Sequence, residues 1–334
     1  MVRSELVSRA TLTAWSPASA ASSGSPESAS ASARRALKNP VSRFDKVPDP
    51  RTSPNICAAV AGLPAAPAVR LAEMKDSALP VTSTTAAVPA SKPVPASTAF
   101  RDCDVCPEMM ALPTGDFMMG SPASEHYRFD NEGPQHPVHV GRRIAMGLYP
   151  VTAGEFALWK KTTVRPGEER LPAVMLTWFE ATEYAAWLSA KTGHTYRLPT
   201  ESEYEYAERA GTVTPYYWGN DIGHGNANCP GCGSPVDGTG STPVGSFPPN
   251  RFGLYDMAGD VFEWVGDCYF ETYDGAPANA EVARQGADGN CAMRGLRASS
   301  WFNLPAFLRA AYRFREVPTS RSARRGFRLV RELD

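Results

Sequence analysis

Six of the seven cysteines, the five histidines and nine closely set arginines are the residues here whose types and spacing suit chemistry. Cys103-x-x-Cys106 and Cys229-x-x-Cys232 have the ligand spacing of a Cys₄ zinc site, and Pro107 and Gly231 suit knuckle-like turns. The alternative is two disulfides that staple the start of the domain to the 229–232 loop. An oxidising compartment favours the disulfides and a reducing one favours Zn2+. Neither pair opens a helix after a strand, which argues against a redox-active motif. Cys268 and Cys291 flank a 22-residue stretch. A bridge between them would close the loop Tyr269–Asn290 and stabilise the fold by roughly 3 kcal/mol through chain entropy. The other reading is two free buried thiols.

The histidines are His126, His136, His139, His194 and His224. His136 and His139 sit in QHPVHV, where a spacing of three along a strand points them to opposite faces, so they do not suit joint metal binding. Arg294, Arg297, Arg309, Arg313, Arg315, Arg321, Arg324, Arg325 and Arg328 are interleaved with Trp301, Phe302, Phe307, Tyr312 and Phe314. That mixture invites a nucleic-acid reading. Arginines holding loops through carboxylates and carbonyls account for it better. An arginine near Asn303 is the candidate to hold an anionic or peptide ligand. With a net charge of −1, no global field favours nucleic acid or a membrane surface.

The elements that position these residues begin near position 99. Residues 1–98 are mostly Ala, Ser, Pro, Thr and Val, including ASAASSGSPESASASARR, and hold one of the seven tryptophans. Such a segment buries too little apolar surface to offset chain entropy, so it is expected to be disordered. Residues 99–334 form the globular domain. No apolar run approaches the roughly 20 residues of a membrane span. Residues 56–69 (ICAAVAGLPAAPAV) resemble a weak export segment. A start downstream of Met1 would therefore favour a periplasmic or secreted protein over a cytoplasmic one.

Within the domain, MMALPTGDFMMG predicts two short strands around a Pro-Thr-Gly turn. HPVHV and IAMGLYPVT predict two more. Thr152 caps a helix through AGEFALWKKT. WFEATEYAAWLSAKTG is a second helix, with Phe179, Tyr184, Trp187 and Leu188 expected on one face and Gly193 at its end. In RLPTESEYEYAERAG, Thr200 and Glu203 form a capping box and Gly211 is the stop. Beyond Gly211 the chain reads as loop and short strand, an α+β domain with a loop-rich second half. Its buried backbone groups need side-chain partners, cations or disulfides.

RLPTESEYEYAERAG, YYWGND, GNANC, PVGSFPPNRFGLYDMAGDVFEWVGDC and RGLRASSW followed by RRGFRLVR together resemble the formylglycine-generating enzyme (sulfatase-modifying factor) family. Related bacterial proteins are named for ergothioneine and pyoverdine biosynthesis. The resemblance runs from about Pro107 to Arg331. It implies a variant C-type-lectin-like fold with little regular secondary structure. The family's enzymes oxidise a sulfatase cysteine to formylglycine, using Cu(I) held by two cysteines after a G-G-S-[YW] motif. Ser300 and Trp301 match that motif, but Ala298 and Ser299 replace its glycines, and Asn303 and Leu308 stand at the cysteine positions. Soft thiolates select Cu(I), so copper chemistry does not transfer. The family groove would be lined here by Ser300, Trp301, Asn303 and Trp264. The resemblance also implies structural Ca2+ at Gly259, Val261 and Glu263, with Asp260 nearby, and a second site at Asn228, the Cys229 carbonyl and Asp237. It leaves three functional readings: a peptide- or small-ligand-binding protein without copper chemistry, a non-copper enzyme of the pyoverdine-maturation type, or an atypical formylglycine-generating oxidase.

Overall fold

The computed structural model describes residues 98–286 and 288–333. The expectations for the N-terminal segment, including the 56–69 export reading, lie outside them.

The first half carries β1 (Met109–Ala111), β2 (Gly115–Met119), β3 (His136–Val140), β4 (Ile144–Gly147), α1 (Ala153–Lys160), α2 (Trp178–Thr192), β5 (Tyr196–Arg197) and α3 (Glu201–Arg209). The second half is mostly loop, crossed by β6 (Phe262–Cys268), β7 (Arg294–Arg297), β8 (Phe314–Glu316), β9 (Arg325–Gly326) and β10 (Val330–Glu332). Three sheets result, ordered β1-β4-β10-β5, β2-β3 and β8-β7-β6-β9. Strand β10 pairs antiparallel with both β4 and β5, so the end of the chain closes the sheet begun by its start. Strands β1 and β2 do not form the hairpin that the Pro-Thr-Gly turn suggested. They enter different sheets, β1 pairing with β4 and β2 with β3.

All three helices start on capping boxes, Thr152/Glu155, Thr177/Glu180 and Thr200/Glu203. Each threonine accepts a hydrogen bond from an orphan N–H of the first turn. Gly193 ends α2 in the left-handed region, as expected, whereas α3 stops one residue before Gly211, at Ala210. The buried stripe of α2 is Ala181, Tyr184, Ala185 and Leu188. Phe179 is exposed. Five residues from Tyr184, it falls well round the helix from that stripe.

Helix α3 is the unexpected element. Glu201, Glu203, Glu205, Glu208 and Arg209 are all buried. Ionised groups are costly to bury unless paired, and arginines pair Glu201, Glu203 and Glu205, two of the three from about a hundred residues away. Arg313 grips Glu201 at 2.6 and 2.9 Å, Arg297 reaches Glu205 at 2.8 Å, and Arg197 holds Glu203 with two 2.7 Å bonds. The arginine-rich C-terminal part is thus largely internal scaffolding, with Arg297, Arg309, Arg313 and Arg328 almost wholly buried.

Candidate functional site

The segment after β7 builds the site. Ala298 and Ser299 adopt φ of 73° and 69°, the left-handed backbone that the glycines of the family motif would take without penalty. For residues other than glycine that backbone costs about 1–2 kcal/mol per residue. Ser300 is fully buried and its Oγ donates to Asn303 Oδ1 at 2.6 Å, while the Asn303 N–H donates to the Ser300 carbonyl at 3.0 Å. The Trp301 N–H donates to the Asp260 carbonyl at 2.7 Å. Leu308 is buried in the core against Gly259. Gly259 has φ of 79°, and a Cβ there would lie 2.7 Å from the Asn228 carbonyl oxygen and 3.0 Å from Leu308 Cδ2, so only glycine fits. Trp264 is a correction to the expected groove lining. It is wholly buried in the core beside Leu296 and Phe327, because strand β6 is covered on both sides.

A cleft of about 550 Å3 opens beside this loop. One wall is Leu304, Pro305 and Ala306; the facing walls bring His126, Tyr127, Tyr216, Asp221 and Ile222. Ser300, Trp301 and Asn303 do not line this cleft. Tyr216 is fixed by donating its hydroxyl to the Pro305 carbonyl at 3.0 Å and by stacking on Trp218 at 5.1 Å. Arg309 locks the two walls together from beneath. It donates to the Ala306 carbonyl at 2.9 Å, Glu125 at 2.7 Å, the Tyr127 carbonyl at 2.7 Å and both oxygens of Glu132 at 2.8 and 2.5 Å. Burial pushes its guanidinium pKa down, but the pairs with Glu132 and Glu125 overcome this and hold it above the ordinary value. The sequence named Arg309 only as one arginine among nine. It gave no sign of Tyr127, Tyr216 or Asp221, which come from loops joined only by folding.

The cysteines settle into three local disulfides: Cys103–Cys106, Cys229–Cys232 and Cys268–Cys291. The Cys₄ zinc arrangement and the cross-domain staple are both overturned. Each C-x-x-C closes on itself, and the two pairs belong to different core clusters. Among the described residues no group of three or more His, Cys, Asp or Glu side chains gathers as a metal site.

The two implied calcium positions differ. Asn228 donates to Asp260 Oδ1 at 2.7 Å and to the Gly240 carbonyl at 2.9 Å, and its own Oδ1 accepts from Ser234 at 2.8 Å. Asp237 is exposed and accepts from the Gly231 N–H at 2.7 Å. These residues are spent on holding their loop and do not fit a cation. Around Gly259–Glu263 the donor set is richer. Glu263 gives both oxygens to Arg328, at 2.8 and 3.0 Å. Asp256, which the sequence reading missed, accepts from the Gly245 N–H at 2.6 Å through one oxygen. Its other oxygen, Oδ1, is buried without a partner. Burial raises the carboxyl pKa of Asp256 to about 7 and of Asp260 to about 6. Three carboxylates, Asp256, Asp260 and Glu263, are buried within electrostatic reach of one another, and the Arg328 guanidinium pairs with the Glu263 carboxylate alone. An orphan carboxylate oxygen and surplus negative charge are what a hard divalent cation with oxygen ligands fits.

Comparison with known proteins agrees with this architecture. Residues 95–333 match the family model of the sulfatase-modifying factor enzyme 1-like domain. PvdO from Pseudomonas aeruginosa is similar in structure, with a TM-score of 0.66 and 39% identity, covering 73% of this chain and all of that one. The formylglycine-generating enzyme of Streptomyces coelicolor is 29% identical over 288 residues, covering 67% of this chain and 88% of that protein. The serine/threonine-protein kinase pkn1 of Chlamydia caviae is 29% identical over 255 residues, but the chain spans only 38% of that kinase's length. The mixed, loop-rich domain is thus a variant C-type-lectin-like fold, and the chain belongs to the sulfatase-modifying factor enzyme 1-like family, which includes the formylglycine-generating enzymes.

Proposed function

We propose that this protein binds a peptide or small ligand in the cleft beside Leu304–Ala306 and performs no copper oxidase chemistry. The observation that carries the reading is the state of the two positions where the family's copper ligands stand. Asn303 is hydrogen-bonded to Ser300, and Leu308 is an apolar core residue against Gly259. Neither supplies a thiolate, and the other domain cysteines are paired elsewhere. The cleft volume falls in the usual range for ligand sites, and its lining mixes aromatic and apolar walls with a few polar groups. Leu304, Pro305 and Ile222 would exclude water from an extended ligand, while His126 and Asp221 would hydrogen-bond its polar groups.

Likeness to PvdO along its whole length favours a second reading, a non-copper enzyme working in the same cleft. In either case we propose that Asp256, through its unpartnered Oδ1, and the carbonyls of Gly259 and Val261 hold a structural Ca2+, with Glu263 joining them by giving up one of its two bonds to Arg328. The cation would neutralise the surplus carboxylate charge and fix the turn that supports Leu308.

The test is Cu(I) competition against a chromophoric chelator, with mass spectrometry of a C-x-P-x-R peptide incubated with the copper-supplemented protein. The chain should neither retain Cu(I) nor form aldehyde, whereas Asn303→Cys/Leu308→Cys should gain Cu(I) affinity. Aldehyde formed by the unmodified chain would overturn the reading. A peptide array probed with the full chain and with Leu304→Asp tests the cleft. Product released from a bound peptide would move the reading to the enzyme.

A further inference from the structure

A second surface lies outside the cleft, on the ribbon 314–325. The ribbon carries exposed Phe314 and Val317, and exposed Met175, Phe179 and Phe302 lie on segments bonded or stacked to it. Hydrogen bonds join Met175 and the start of α2 to this ribbon. The Met175 N–H donates to the Ser322 carbonyl at 3.0 Å, and Arg321 donates to the Met175 carbonyl at 2.8 Å. The Trp178 N–H donates to the Pro318 carbonyl at 3.0 Å, which sets Phe179 near Val317. Phe314 stacks on Phe262 at 5.0 Å, and the Phe262 N–H donates to the Arg324 carbonyl at 2.8 Å. Met175 has φ of 58°, a conformation that non-glycine residues seldom adopt, and more than half of its surface remains exposed.

Charge decides what this face fits. Arg321 pairs with Glu180 at 2.6 Å, Arg325 with Glu316 at 3.2 Å and Arg315 with Glu271 at 3.0 Å. Arg324 has no carboxylate partner among the described residues. Its guanidinium lies 4.5 Å from the centre of the Phe302 ring. A planar cation stacked on an aromatic ring keeps its in-plane N–H donors directed outward, where they suit a carboxylate. Exposed apolar side chains, with Phe, Met and Arg prominent, also match the composition of interface cores.

We infer that this face, centred on Arg324 and Phe302, docks an acidic segment of a partner protein, in which a carboxylate meets Arg324 and a neighbouring apolar side chain covers Phe302. The inference does not rest on the ligand proposed for the cleft.

The test is selection from a random 12-mer peptide library displayed on phage, with the full-length chain as bait. Selected peptides are then measured by fluorescence anisotropy against the chain, Arg324→Glu, Phe302→Ser and the cleft variant Leu304→Asp. Enriched sequences should carry Asp or Glu beside a large apolar residue. Their affinity should fall at least tenfold with Arg324→Glu and with Phe302→Ser, weaken with rising salt, and stay within twofold for Leu304→Asp. The two face variants should melt within a few degrees of the parent. No enrichment, enrichment of basic peptides, or affinity lost only in Leu304→Asp would overturn the inference. So would a dimer in sedimentation velocity that Phe302→Ser dissociates, since a second copy would then be the occupant.

Discussion

Replacing Arg309 with Met should destabilise the domain and open the cleft together. The side chain is almost wholly buried, as are Glu132 and Glu125, which it neutralises. Methionine fills much of the volume but leaves two buried carboxylates without their cation. Glu132 would keep the Ser121 hydroxyl at 2.7 Å and the Phe129 N–H at 3.2 Å, and those do not balance its charge. Removing one partner of a buried pair costs about 3–5 kcal/mol. For a domain of this size each kcal/mol moves the melting temperature by about 2–4 °C, so Arg309→Met should melt about 6–20 °C lower. Adding Glu132→Gln removes one stranded charge and should restore part of the loss. Calorimetry measures both variants, and hydrogen exchange across 122–132 and 304–309 reads the opening of the walls. A single variant within about 1 kcal/mol of the parent, or a double variant no better than the single, would refute the view that Arg309 is the electrostatic keystone.

Other expectations are independent of this one. Burial pushes the Glu180 carboxyl up, but hydrogen bonds from Arg321 and Lys160 overcome it and hold the pKa at about 2. Its folded value lies below the unfolded one, so its contribution is present above about pH 4.5 and is lost as pH falls toward 2. Glu180→Gln should therefore cost about 1 kcal/mol at pH 7, after allowing for the exposure of Arg321 and Lys160, and only a small part of that at pH 2, as followed by urea melts. Cys268→Ser/Cys291→Ser should lose roughly 3 kcal/mol, with fast proteolysis confined to residues 269–290; unchanged stability would mean the bridge constrains nothing. Chelator-treated protein should gain about 2.7 kcal/mol of stability at a calcium concentration one hundred times the dissociation constant. Asp256→Ala should abolish that gain, and a melting curve indifferent to calcium would remove the cation from the Asp256–Glu263 turn.

Local signals carried far along this chain. Thr152, Thr177 and Thr200 announce their helices because a capping box is made within four residues and needs nothing distant. The strands of HPVHV and IAMG, the left-handed stop at Gly193 and the family motifs were legible for the same reason.

What the tertiary structure alone decided is which groups meet. Glu201, Glu203, Glu205 and Glu208 are of a type that is almost never fully buried, yet α3 is interior. Its burial depends on Arg297 and Arg313, about a hundred residues away, and no local pattern encodes that pairing. Trp264 and Trp301 look alike in sequence, but β6 is enclosed and the loop after β7 is not, so one is core and the other half-exposed. The C-x-x-C pairs offered zinc or a long-range staple, and spacing could not choose, because the choice depends on the distance between two segments that the chain separates by more than a hundred positions. The cleft is decided in the same way: its walls come from residues 126–127, 215–222 and 304–309, and they become one site only when Arg309 draws two buried glutamates to itself.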